Sequence, residues 1–275
     1  MTTSLDLSED LLYPESDGKP MAESTEQYRW IVMIKENLEI LFANDPDVFI
    51  AADLFWYPLQ VTTPPAPQQA PDVMVAFGRP KGRRRSYQQW KEQNVPAQVV
   101  FEILSASNKT REGIENMEYK FLFYQQHGVE EYYIYDPDEF VLQGWQRQDD
   151  VLVEIPSLTD WISPRLGIRF QWQPRTELVL YCPDGQRFLS SVELNERAEQ
   201  AQQQAEQERQ RAEQAQRQAE QERQQAEQER QRAEQAEQAL SNAVARLLTA
   251  GLSLEQVAET LGLSVANLQT LLDRD

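Results

Sequence analysis

The stretch from Pro71 to Pro137 sets two carboxylates inside runs of residues that otherwise read as core. It opens with Pro71-Asp72-Val73-Met74-Val75-Ala76-Phe77, an acidic residue heading an apolar run of strand length. Gln98 to Ser105 is a second apolar run, with Glu102 in its middle. A helical pattern from Thr110 to His127 carries Lys120, and Val129 to Asp136 is a further strand closed by Pro137. Consecutive apolar residues such as Val73, Met74 and Val75 suit a strand covered on both faces. Unpaired charge in such a place is costly, so Asp72 and Glu102 need a partner. A divalent metal ion between them would remove the cost. Asp72 capping a turn, or Glu102 paired with Lys120 as a structural ion pair, would also remove it.

Composition divides the chain. The aromatic residues and prolines lie before residue 191, whereas Glu193 to Gln238 is almost wholly Ala, Glu, Gln and Arg and cannot make a packed globule. Residues 1–20 read as a loosely ordered arm, 21–190 as a globular domain, 191–239 as a helix or coiled coil, and 240–275 as a small helical hairpin. Alanine recurs every seven residues from Ala198 to Ala233, a heptad register, but Glu often takes the other seam position. Such a seam is weak, leaving a solvated single helix and a dimer both open. The segment from Ser253 to Ser264 looks like a helix-turn-helix opening, yet the helix after it lacks the cations that a recognition helix needs. A structural or protein-contact hairpin is therefore favoured over a transcription regulator.

The formal charge of −19 argues against general attraction to nucleic acid, so any DNA contact must be local. Lys81, Arg83, Arg84 and Arg85 lie in a loop from Arg79 to Pro96 together with Tyr87 and Trp90. The loop reads either as solvated surface or as a clamp on a DNA backbone. One cysteine and one histidine exclude cysteine-rich zinc and histidine-rich metal sites. His127 reads as a helix C-terminal residue and not a catalyst. The acidic, polar start has no signal-peptide pattern, and no apolar run approaches the roughly 18 residues of a membrane span, so a cytoplasmic protein is expected.

Pro71-Asp72, Phe101-Glu102-Ile103-Leu104-Ser105, Lys120 with Tyr124, and Gly128 to Pro137 form an ordered series. That series resembles the PD-(D/E)XK nuclease superfamily, and within it the Uma-type family of restriction endonucleases, over roughly residues 20–175. The resemblance implies an α/β fold. Its restriction-endonuclease-like core would have a mixed central sheet flanked by helices, followed by the helical tail and hairpin. It implies Mg²⁺ (or Mn²⁺), DNA as substrate, and catalytic roles for Asp72, Glu102 and Lys120. Asp72, Glu102 and the Ile103 carbonyl would be the metal ligands, and Glu39 the first-helix acid. The superfamily's Glu-x-Lys is absent, because Ile103 and Leu104 follow Glu102; the lysine is read as having migrated to Lys120, ahead of Lys109. Cutting two strands usually needs two sites, which makes a homodimer a candidate assembly. The competing reading is a catalytically silent nuclease fold acting as a binding or assembly module, with the tail as its interaction arm.

Overall fold

The computed structural model describes residues 9–16, 18 and 20–272; the expectations for residues 1–8, 17, 19 and 273–275 lie outside the described residues. In chain order the elements are α1 (Glu9–Leu12), α2 (Thr25–Leu41), β1 (Val48–Ala51), β2 (Trp56–Tyr57), β3 (Val73–Phe77), β4 (Tyr87–Gln88) and β5 (Val99–Ile103). There follow α3 (Arg111–Gln126), β6 (Glu131–Asp136), β7 (Val141–Gln148), β8 (Val151–Glu154), β9 (Trp161–Ile162), β10 (Arg169–Gln171) and β11 (Val179–Tyr181). The chain ends in α4 (Ser191–Thr249), α5 (Leu254–Leu261) and α6 (Val265–Leu272). It divides into two compact units, the first ending at Arg197 and the second beginning at Ala198.

A six-stranded mixed sheet in the order β1-β3-β5-β6-β7-β8 forms the centre of the first unit. Its neighbours are antiparallel except β5 and β6, which run parallel and are joined by α3. Parallel strands need such a crossover, so α3 lies over the sheet by topology. Side chains alternate between the two faces. Val73 and Val75 of β3 and Val99, Phe101 and Ile103 of β5 pack with Trp30, Ile31, Ile34 and Leu38 of α2. Met74, Ala76, Val100 and Tyr132 pack on the opposite face with Phe123 and Tyr124 of α3. By that alternation Glu102 belongs to the α3 face.

Several expectations from sequence shift here. The buried stripe of α2 is Gln27, Trp30, Ile31, Met33, Ile34, Asn37 and Leu38. Tyr28, although three residues before Ile31 in the helical repeat, is half exposed. On α3, Ile114 is likewise exposed while Phe123 and Tyr124 are buried. The largely apolar run from Val48 to Tyr57, which reads as one strand, breaks into β1 and β2, because Asp53 adopts a left-handed backbone with φ of 48°. Part of the N-terminal arm is docked: Tyr13 is buried against Tyr57 and Trp90, and its hydroxyl donates to the Val61 carbonyl at 2.9 Å.

In the second unit α4 continues unbroken to Thr249, solvated along its alanine-rich length. Arg209 reaches Glu206 at 3.2 Å and Glu213 at 3.8 Å, the i,i+3 and i,i+4 pairs that support an isolated helix. Val244, Val257, Ala258 and Leu268 form its own small core. Among the described residues no helix is long and apolar enough to cross a membrane.

The entry to α3 is tight. Thr110 caps it, accepting from Gly113 N–H at 3.1 Å. A methyl group on Gly113 would lie 2.1 Å from the Ser107 carbonyl oxygen and 2.6 Å from Asn108 Cα. Alanine favours helix interiors over glycine by about 1 kcal/mol, yet Gly113→Ala is expected to destabilise by about 1–3 kcal/mol through this backbone clash. Urea denaturation checks it, and a stabilised variant would show that the entry can relax.

Candidate active site

Asp72 and Glu102 meet because of strand register. β3 and β5 are antiparallel with Val73 opposite Phe101 and Met74 opposite Val100. Extending that register by one residue sets Asp72 opposite Glu102. One oxygen of Asp72, Oδ2, accepts the backbone N–H of Ile103 at 2.6 Å. Among the described residues nothing is hydrogen-bonded to its other oxygen, and Asp72 lines a cleft of about 390 Å³. Glu102 lies deeper, 2 % exposed. Its Oε2 receives Lys120 Nζ at 2.6 Å and its Oε1 receives the Tyr124 hydroxyl at 2.5 Å. Lys120 and Tyr124 are four residues apart on α3, which places both on one helix face.

The two carboxylates are held differently. Burial, reinforced by the charge of Glu102, pushes the Asp72 carboxyl up to about 8, against the opposing pull of Lys120 and the Ile103 N–H. Burial alone would lower Lys120, but the charges of Glu102 and Asp72 outweigh it and raise the ammonium above its ordinary value. Burial and the Glu102 charge also raise the Tyr124 hydroxyl well above its usual range, which keeps it a donor. Asp53 adds negative charge nearby and lines the same cleft.

The donor set suits a hard cation. Asp72 has an uncommitted oxygen, and Glu102 and the Ile103 carbonyl complete an all-oxygen group of the kind Mg²⁺ takes, with water and substrate filling the remainder. The Ile103 carbonyl already accepts Gln27 Nε2 at 2.9 Å, leaving one lone pair. Among the described residues no three histidine, cysteine or acidic side chains group closely enough to hold an ion by themselves. An ion held here would therefore depend on a backbone carbonyl as well as on Asp72 and Glu102.

The remaining residues singled out from sequence lie elsewhere. Glu39 is 12 residues after Gln27 along α2, about 18 Å at the rise of a helix, and faces Lys81 at 3.6 Å and Lys35 at 3.9 Å. The loop cations are largely engaged within the fold. Lys81 donates to the Phe42 carbonyl at 2.7 Å, Arg84 pairs with Glu92 at 2.7 Å and stacks 3.8 Å over Phe49, and Arg85 pairs with Glu15. Arg83 alone of the four reads as plainly exposed without such a contact among the described residues. Tyr87, expected as a stacking group, is fully buried. Lys109 is bound to Asp136 at 2.9 Å. His127 packs against Phe123 and Trp56, with burial lowering its pKa.

Three residues of the site were not recognised as functional from sequence. Tyr124 was visible in the Lys120-x-x-x-Tyr124 spacing, but its bond to Glu102 was not. Gln27 and Asp53 carry no local signal, since tertiary packing alone brings them to the cleft.

With this geometry in view, comparison with known families is informative. A family profile described as "Uma2: Putative restriction endonuclease" matches residues 22–182. The chain belongs to the Uma2 family. The Uma2 match takes in Asp72, Glu102, Lys120 and Tyr124 and stops before α4. Among solved structures, one titled as a putative nuclease belonging to DUF820 from Anabaena variabilis ATCC 29413 is similar at 15 % identity, with a TM-score of 0.37 over 55 % of this chain and 79 % of that one. No curated protein matches.

Removing one member of a buried pair strands the other. Lys120→Met is expected to cost about 3 kcal/mol or more, and adding Glu102→Gln to it should restore over half, as a double-mutant cycle by urea denaturation would read. Asp72 yields a pH signature in metal-free buffer. Between about pH 4 and 8 the folded state keeps a proton that the unfolded chain has released, so stability falls as pH rises, by at most about 1.4 kcal/mol per unit. Asp72→Asn, which can still accept the Ile103 N–H, should flatten that slope and be the more stable protein at pH 8.

Proposed function

We propose that this Uma2 protein is a metal-dependent endonuclease hydrolysing DNA phosphodiester bonds, with Asp72, Glu102 and Lys120 as its working groups. The observation that carries the reading is the convergence of two carboxylates from adjacent strands and one lysine from the crossover helix, with Asp72 and Lys120 lining an open cleft and Glu102 buried behind them. A Uma2 family described by its restriction endonucleases supports it.

Asp72 lines the cleft with one oxygen unbonded among the described residues, and the negative charges of Glu102 and Asp53 beside it favour a cation there. Mg²⁺ or Mn²⁺ bound to Asp72, Glu102 and the Ile103 carbonyl would supply Lewis-acid polarisation of the phosphodiester and an acidified water. Tyr124 keeps one oxygen of Glu102 committed, so the carboxylate is oriented before substrate arrives. Lys120 holds the other oxygen and carries the positive charge best placed to meet negative charge developing on the phosphate. Gln27 fixes the Ile103 carbonyl and so ties α2 to the site.

A second reading has one observation in its favour: both oxygens of Glu102 are already satisfied within the protein. On that reading Glu102, Lys120 and Tyr124 form a structural cluster in a silent nuclease fold that serves binding or assembly, and α4 is its interaction arm.

Negatively supercoiled plasmid incubated with Mg²⁺ or Mn²⁺ separates the two. Nicking is expected with wild type and should fall at least about a hundredfold in Asp72→Ala, Glu102→Gln and Lys120→Ala. Wild type that neither nicks nor binds metal by calorimetry would leave the silent module standing.

A further inference from the structure

The cleft beside Asp72 is poor in the groups that hold a DNA duplex. Its charged lining is Glu23, Asp53, Asp72 and Lys120, three acids to one base, and that base is already bonded to Glu102. Duplex binding draws most of its affinity from cations laid along two phosphate backbones. Several nearby cations are engaged inside the fold, Lys81 on the Phe42 carbonyl, Arg84 on Glu92 and Lys109 on Asp136, and the exposed Arg83 and Arg85 are not part of the cleft lining.

What the cleft offers is suited to bases. Tyr119, directly before Lys120 on α3, lines it with 53 % of its surface exposed. An exposed aromatic ring beside the reactive groups is a stacking platform. Gln68, on the proline-rich segment that also lines the cleft, has a buried Oε1 with no hydrogen-bond partner. A buried acceptor left unmet is costly, and a turn of the Gln68 amide into the cleft would let a donor on a ligand satisfy it. The amino and ring N–H groups on the pairing edge of a nucleobase are such donors, and in a duplex they are occupied. Stacking likewise needs a base face that is not covered by its neighbours.

We infer that the cleft takes single-stranded or locally unpaired nucleic acid, with a base stacked on Tyr119 and its edge read by Gln68. The inference rests on the nuclease reading for the position of the scissile phosphate, at Asp72 and Glu102. The unpaired strand also has the lower charge density, which lessens its repulsion by an acidic protein.

The test is fluorescence polarisation of a short fluorescein-labelled single strand and of the matching duplex, with full-length protein in Ca²⁺ buffer, alongside cleavage of both DNAs in Mg²⁺. Wild type should bind the single strand about tenfold or more tightly than the duplex, with a shallow dependence on salt. Tyr119→Ala should weaken that binding about tenfold, and Tyr119→Phe should retain it. Because Tyr119 is exposed, neither change should disturb folding, which circular dichroism verifies. Duplex bound as tightly as single strand, no binding of either, or Tyr119→Ala binding unchanged would overturn the inference. Equal cleavage of duplex and single strand would overturn it and leave the nuclease standing. Tyr119-dependent binding of the single strand without cleavage of any DNA would uphold the strand assignment and remove the nuclease.

Discussion

A buried carboxylate at the centre of a sheet face sets the terms for the first unit. Glu102 cannot be left alone at 2 % exposure, and the group that meets it must come from whatever element covers that face. The parallel pairing of β5 and β6 requires a crossover, and the crossover is α3. Lys120 and Tyr124 then reach Glu102 together because they are one helical turn apart. The capped, tightly packed entry at Thr110 and Gly113 fixes the phase of the helix so that this face, and not the one bearing Ile114, turns inward. Core packing and candidate chemistry thus depend on the same contact.

Asp72 and Glu102 show how two acids on neighbouring strands can be given different tasks. Glu102 has both oxygens committed to α3, whereas Asp72 has one bond to backbone and one oxygen toward the cleft. The first is held by the protein; the second is left with a deficit that burial makes large. Elsewhere the protein uses its cations to secure its own loops. Arg84 is folded over Phe49 and clamped by Glu92, so a run that looks like a phosphate grip in sequence is largely a brace for the segment around β4.

Much of the site was legible in the sequence because its signals are local. An apolar run with one acid inside it, a helix with Lys-x-x-x-Tyr, and a following apolar strand announce a strand–helix–strand unit with polar groups turned inward. What failed was what depends on distant partners. Glu39, which the resemblance implies as the first-helix acid, faces Lys35 and Lys81 instead, because the buried stripe of α2 is set by Trp30 and Met33 packing on a sheet that the helix pattern alone does not reveal. The break after β1 follows from a left-handed Asp53, whose backbone N–H is tied to the Pro71 carbonyl; nothing in Ala51-Ala52-Asp53-Leu54 requires it. Tyr87 is a core residue for a similar reason, since burial is decided by what lies above a side chain.

The sequence by itself determined the strand–helix–strand order, the acids within apolar runs, the compositional boundary before α4 and the family to which the chain resembles and belongs. All but the last follow from periodicity, composition and spacing, which are properties of neighbours along the chain; the family rests on a resemblance of ordered motifs and on the profile match. Tertiary structure alone decided that β3 and β5 pair in a register setting Asp72 opposite Glu102, that Tyr124 and Lys120 divide the oxygens of Glu102, and that the basic loop turns inward to Glu92 and Glu15. Those outcomes depend on through-space distance and burial, and both are set only when segments remote in sequence come together around one core.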